Sequence, residues 1–83
     1  MSTNIYVGNL AFGTTSSDLE KLFSEHGQVS SAQVIVDRES GRSRGFGFVE
    51  MPDPQSASQA IDALNGRSVD GRTLTVNVAR KRS

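Results

Sequence analysis

Apolar and polar positions alternate along this chain with two different periods, and their order predicts six elements. Over Asn4–Gly8, Ile5 and Val7 face one way and Asn4 and Tyr6 the other, the period of a strand. Leu19, Leu22 and Phe23 then recur at the spacing of a helical stripe. Thr15 is the expected N-cap, with Asp18 three residues on to return the hydrogen bond; Ser17 with Glu20 is a competing frame. Gly27 is expected to stop the helix, with the lone His26 in its last turn. A second strand spans Val29–Asp37, with Ala32, Val34 and Val36 inward and Gln33 and Ile35 outward. A polar loop holding Ser40-Gly41 leads to a third strand, Gly45–Met51. Asp53-Pro54 opens a second helix, on which Ala57, Ala60, Ile61 and Leu64 form the stripe and which Asn65-Gly66 ends. Asp70-Gly71 marks a turn, with a short hairpin starting near Val69. The last strand, Arg72–Ala79, turns Leu74, Val76 and Val78 inward and Thr73, Thr75, Asn77 and Ala79 outward.

The order is strand-helix-strand, twice. Right-handed crossovers in both units give an α+β fold: a four-stranded antiparallel sheet with two helices on one face. The first and third strands become central neighbours, and the second sheet face stays uncovered.

That open face makes one octamer informative. Residues Arg44 to Met51 read Arg-Gly-Phe-Gly-Phe-Val-Glu-Met. Val49 and Met51 suit the core, so Phe46 and Phe48 point outward, with Arg44 and Glu50 beside them. Tyr6 joins them from the adjacent strand. Three of the five aromatics (Tyr6, Phe12, Phe23, Phe46, Phe48) are then directed at water. Burying one large apolar side chain is worth roughly 1.5–3 kcal/mol, so leaving three outside forgoes about 5–9 kcal/mol. That is comparable to the ~5–15 kcal/mol stability of a whole domain. The alternative, a sheet covered on both sides, would bury Arg44 and Glu50 along with the rings. Flat rings beside a cation suit stacked nucleobases and paired phosphates.

Composition narrows the classes. Eighty-three residues make one domain, with an ordered core at about 4–79 and a flexible basic tail at 80–83. The chain has no cysteine, hence no disulfide and no thiolate metal site. No apolar run reaches the ~20 residues of a membrane span, and the N-terminus lacks the pattern of a signal peptide. The expected location is intracellular: cytoplasmic, or nuclear in a eukaryote. The formal net charge is zero, which by itself argues against nucleic acid. The distribution differs from the sum. Arg38, Arg42 and Arg44 surround one loop and Arg80, Lys81 and Arg82 end the chain, while Asp18, Glu20, Glu25, Asp53 and Asp62 lie in or beside the helices. A basic edge near the aromatics and an acidic back follow.

These residues resemble the RNA recognition motif family. Arg44 to Met51 is similar to the family octamer, Lys/Arg-Gly-Phe/Tyr-Gly/Ala-Phe-Val-x-Phe/Tyr, and Ile5 to Leu10 to its hexamer. Asp37 to Gly45 and Gly71-Arg72-Thr73-Leu74 are also typical, so the resemblance runs from about Asn4 to Ala79. Its short length resembles that of small single-domain RNA-binding proteins of bacteria, or of the domain of plant glycine-rich RNA-binding proteins without its tail. Met51 departs from the octamer's final aromatic, at a position expected to face the core.

The resemblance implies a ferredoxin-like βαββαβ sandwich and non-catalytic binding of single-stranded RNA, in post-transcriptional regulation or RNA chaperoning. Tyr6 and Phe48 would each carry a base, Phe46 would pack between sugars or against a third base, and Arg44 would pair with a phosphate. Gly8 would allow close approach of backbone or simply end a strand. Asn4, Gln33, Thr75 and Asn77 offer hydrogen bonds to base edges. Arg38 and Arg42 would touch RNA backbone, and Arg80, Lys81 and Arg82 would fold over it. Single-stranded DNA is left open as a partner; a monomer is expected, with no cofactor, metal or membrane. Two other classes fit the residues less well. A hydrolase of similar architecture lacks a phosphate-cradling Gly-Lys-Ser/Thr and any partner for His26. A protein-binding module on the same fold would have little use for the outward rings.

Overall fold

The computed structural model describes residues 3–11, 13–41, 43–69 and 71–79, with Ser43 and Arg44 described for their backbone alone. Phe12, Arg42, Asp70 and the predicted basic tail (Arg80, Lys81, Arg82) lie outside the described residues. The order is β1 (Thr3–Gly8), α1 (Ser16–Ser24), β2 (Ser31–Val36), β3 (Ser43–Met51), α2 (Pro54–Leu64), β4 (Ser68–Val69), β5 (Arg72–Thr73) and β6 (Thr75–Val78). The main sheet runs β2-β3-β1-β6 and every pairing in it is antiparallel. This is the expected sandwich, with the strands carrying the octamer and hexamer at its centre.

Local chemistry explains the helix starts. Thr15 caps α1 by accepting from the Asp18 amide at 3.2 Å while Asp18 accepts from the Thr15 amide at 3.1 Å, so the Thr15–Asp18 frame prevails over Ser17–Glu20. Asp53 caps α2 through the Gln55 amide, with Pro54 at the first turn. The helix α1 ends at Ser24 with Glu25 as C-cap, two residues before Gly27.

The core lies between sheet and helices: Ile5, Val7, Leu19, Phe23, Val49, Met51, Ala57, Ala60, Leu64 and Val76 are all buried. No polar or charged side chain among the described residues is buried with them. Both helices are also fixed to the outer strands. The Val34 amide of β2 donates to Ser16 Oγ at 3.0 Å, and the Val76 amide of β6 donates to Asn65 Oδ1 at 3.1 Å. Amides on the edge strands thereby gain partners that would otherwise be sought from another chain.

Three expectations need correction. The last strand is not continuous. Leu74 is buried and held by two backbone bonds, its amide to Arg67 O and its carbonyl to the Gly66 amide. The chain therefore breaks there. Arg72–Thr73 joins Ser68–Val69 in a small hairpin, and only Thr75–Val78 enters the main sheet. Second, Val36 is 53% exposed; it is the last residue of β2, beyond the point where the pairing with β3 shifts register. Third, Val78 shares the helix-side face with its partner Ile5, yet is 54% exposed. It is the last residue of β6, an edge strand of the sheet.

The register shift has a visible cause in β3. Val34 pairs with Gly47 and Val36 with Ser43, so four steps on β3 match two on β2. Gly45 lies inside this bulge at φ +84°, a left-handed conformation that disfavours other residues. Its carbonyl accepts the Leu10 amide at 2.8 Å, tying the end of the hexamer to the octamer.

Candidate nucleic-acid interface

The register fixes what shares the open face. Directly paired residues point the same way. Gln33 pairs with Phe48, Phe48 with Tyr6, and Tyr6 with Asn77, giving one row across all four strands. The next row joins Phe46, Gly8 and Thr75. On the other side Ser31, Glu50 and Asn4 are in register. The sequence-predicted residues Tyr6, Phe46, Phe48, Asn4, Gln33, Thr75 and Asn77 are thus assembled on one surface.

The three rings form a nearly equilateral triangle. Tyr6 and Phe46 lie 6.1 Å apart at 29° between planes, close to parallel. Phe48 stands edge-on to both, 5.9 Å from Tyr6 at 63° and 6.0 Å from Phe46 at 85°. Such contacts recover part of the apolar area that an uncovered face forgoes. Accordingly Phe48 is exposed at 40%, whereas Tyr6 and Phe46 are half-buried and not freely directed at water as expected. Ile35 is likewise half-buried. Asn4 is half-buried too, while Gln33, Thr75 and Asn77 are exposed.

The basic residues are less fully placed. Arg38 is exposed in the β2–β3 turn, where Asp37 Oδ1 accepts the Glu39 amide at 2.9 Å and Asp37 O the Gly41 amide at 2.8 Å. The backbone of Arg44 is in β3, two residues before Phe46, but the bulge at Gly45 interrupts alternation between them. Strict alternation therefore fixes the faces of residues 46 to 51 and not that of Arg44. Arg42, Arg80, Lys81 and Arg82 are outside the described residues.

Two features of the interface were not legible beforehand. Asn9, at φ +61°, donates from Nδ2 to Thr73 O at 2.7 Å and accepts from Arg72 Nη1 at 3.3 Å on Oδ1. It clamps the small hairpin to the end of β1 and brings a guanidinium to the Phe46 end of the sheet. The second is the half-burial of the Glu50 carboxylate, in register with Asn4 at the opposite end: alternation gives its face but not its exposure. Among the described residues there is no cluster of His, Cys, Asp or Glu able to hold a metal. No helix there is long and apolar enough to cross a membrane.

A four-stranded antiparallel sheet backed by two helices, with aromatics on its open face, is the architecture of the RNA recognition motif. The RNA recognition motif family profile matches residues 5–75, and the chain belongs to that family. It is 58% identical over 82 residues to the 31 kDa chloroplastic ribonucleoprotein of Nicotiana sylvestris, covering 99% of this chain and 26% of that protein. The chain therefore spans about a quarter of that relative's length. Among solved structures it resembles RNA Binding Protein PG1, with TM-score 0.92, 51% identity and 98% coverage of both chains. It also resembles the Sex-lethal protein/RNA complex, with TM-score 0.92, 30% identity and coverage of 100% of this chain and 50% of that one.

Proposed function

We propose that this chain binds single-stranded RNA by seating unpaired bases on Tyr6, Phe46 and Phe48, and that it acts by binding and not by catalysis. The observation that carries this reading is the ring triangle on the sheet face opposite the helices. Family membership supports it, as does the likeness to a protein whose structure was solved with RNA. Gln33, Asn77, Thr75 and Asn4 flank the rings in register and offer donors and acceptors to base edges. Arg38, Arg42 and Arg44, with the tail residues Arg80, Lys81 and Arg82, supply phosphate contacts.

Each base–aromatic stack is worth roughly 1–3 kcal/mol. Three stacks and a few phosphates reach about micromolar affinity, near −8 kcal/mol. We infer a monomeric, intracellular module serving post-transcriptional regulation or RNA chaperoning. The name of the Nicotiana sylvestris relative makes the plastid a compartment to test beside the cytoplasm.

The decisive comparison titrates labelled single-stranded RNA, and DNA of the same sequence, with the parent chain and with the Tyr6→Ala/Phe46→Ala/Phe48→Ala variant. Loss of RNA binding by a folded variant supports the reading. Undiminished binding by that variant overturns it, and equal affinity for DNA removes the preference for RNA.

A further inference from the structure

We propose that Gly8 is a positioning residue for the Tyr6 ring, an inference that rests on the RNA-binding reading above. The hexamer places this glycine inside a central strand bonded on both sides, where a residue without a side chain weakens the sheet. Its backbone does not demand glycine through a left-handed angle, since Gly8 is not among the residues with positive φ. Space demands it. A Cβ at position 8 would lie 2.7 Å from Tyr6 Oη, 3.0 Å from Cε2 and 3.1 Å from Cζ. The far end of the Tyr6 ring therefore lies over Gly8.

The register gives this overlap its consequence. Gly8 pairs with Phe46, so a ring leaning along β1 over Gly8 leans toward Phe46. This is the near-parallel pair of the triangle, at 29°, while both contacts of Phe48 are edge-on. The missing side chain lets Tyr6 lie down along the sheet and present a face to solvent. A methyl at position 8 meets only the end of a flexible side chain, so the ring swings up while the strand stays paired. Gly47, the neighbouring octamer glycine, behaves differently. A Cβ there meets backbone, with Gln33 O at 2.5 Å and Val34 Cα at 3.1 Å. One glycine is required by the fold and the other by the attitude of a ring.

The test is a double-mutant cycle read by RNA titration. Tyr6→Ala lowers affinity by about tenfold through loss of one stack. Gly8→Ala is expected to lower it by about fivefold, and the Gly8→Ala/Tyr6→Ala pair to bind no more weakly than Tyr6→Ala alone. Tyr6→Phe removes the atom of closest approach, so Gly8→Ala should cost less in that background. Tyr6 is the sole tyrosine in a chain without tryptophan, so intrinsic fluorescence reports on this ring alone. Its quenching by RNA should diminish in Gly8→Ala while circular dichroism and melting temperature stay near the parent's.

Parental affinity and quenching in Gly8→Ala, with Tyr6→Ala weakened, overturn the inference and leave the RNA-binding reading standing. Multiplicative losses in the pair overturn it as well, because Gly8 would then act independently of Tyr6. A melting temperature lowered as much as by Gly47→Val would make the role structural and overturn it too. If Tyr6→Ala itself binds like the parent, the RNA-binding reading fails first.

Discussion

Phe48 and Val49 are neighbours in sequence on opposite faces of β3, so truncating each to alanine separates binding from folding. Phe48 is 40% exposed and touches Tyr6 and Phe46 edge-on at 5.9 and 6.0 Å. Each aromatic pair contributes about 0.5–1.5 kcal/mol beyond area burial. Its removal opens no enclosed cavity, because the ring stands on an uncovered face. The two pairs set the expected loss of stability for Phe48→Ala at about 1–3 kcal/mol, at or below the low end of the ~3–5 kcal/mol of a core phenylalanine. At about 4–8 °C per kcal/mol for a domain of this size, the melting temperature should fall by roughly 4–24 °C. RNA affinity should fall by about 5- to 150-fold, since one stack of ~1–3 kcal/mol is lost. Val49 is 1% exposed, in register with Ile5 and Ala32 beneath the helices. Its truncation removes two buried methyl groups and leaves a cavity, costing about 2–3 kcal/mol. The folded fraction of Val49→Ala should bind RNA within about twofold of the parent. Thermal melts give stability, and anisotropy of a labelled oligonucleotide, measured well below both melting temperatures, gives affinity. Two results would refute the reasoning: a folded Phe48→Ala that titrates like the parent, or equal losses of affinity for both variants.

Gly47→Val should destabilise by about 3 kcal/mol, because the added carbons press on the β2 backbone at Gln33 O and Val34 Cα and on the buried Leu19 side chain; an unchanged urea midpoint would contradict this. Thr15→Ala should cost about 1 kcal/mol by removing the α1 cap. The Thr15 amide, then its hydroxyl, and Lys21 more weakly, hold the Asp18 carboxyl below its ordinary pKa, so the folded state favours the ionised form. That contribution is present above the unfolded value of about 3.9 and is lost as pH falls through the lower folded value. The stability difference between the parent and Asp18→Asn should therefore shrink below about pH 4; a difference independent of pH there would disprove the linkage. RNA affinity should fall with salt at about −0.7 per neutralised phosphate on a log–log plot, or about −2 if three arginines engage. A flat dependence would remove phosphate pairing from the proposed mechanism.

Much of this was readable from residue order alone, because the signals are local. Alternation placed Ile5, Val7, Val49 and Met51 inward, and spacing by three and four placed Leu19, Phe23, Ala57, Ala60 and Leu64 on the helix stripes. Caps are set within four residues, so Thr15–Asp18 and Asp53-Pro54 were legible as well. The order of elements then led to β1 and β3 as neighbours, and so to Tyr6 beside the two octamer phenylalanines. Alternation states only which face a side chain takes, and that is where the reading stopped. It carries no information on the exposure of Val36 at the end of β2, or on the register shift around Gly45, which unfixes the face of Arg44. Nor does it reveal the break at Leu74 or the Asn9 bridge to Thr73 and Arg72, which join residues more than sixty positions apart. The edge-on stance of Phe48 against Tyr6 likewise comes from packing between strands distant in sequence, while the Tyr6 ring lies over Gly8 of its own strand. Residue order determined which rings share a surface; only the assembled sheet decided how they stand on it, because ring attitude depends on the space left by side chains on the same strand and on its neighbours.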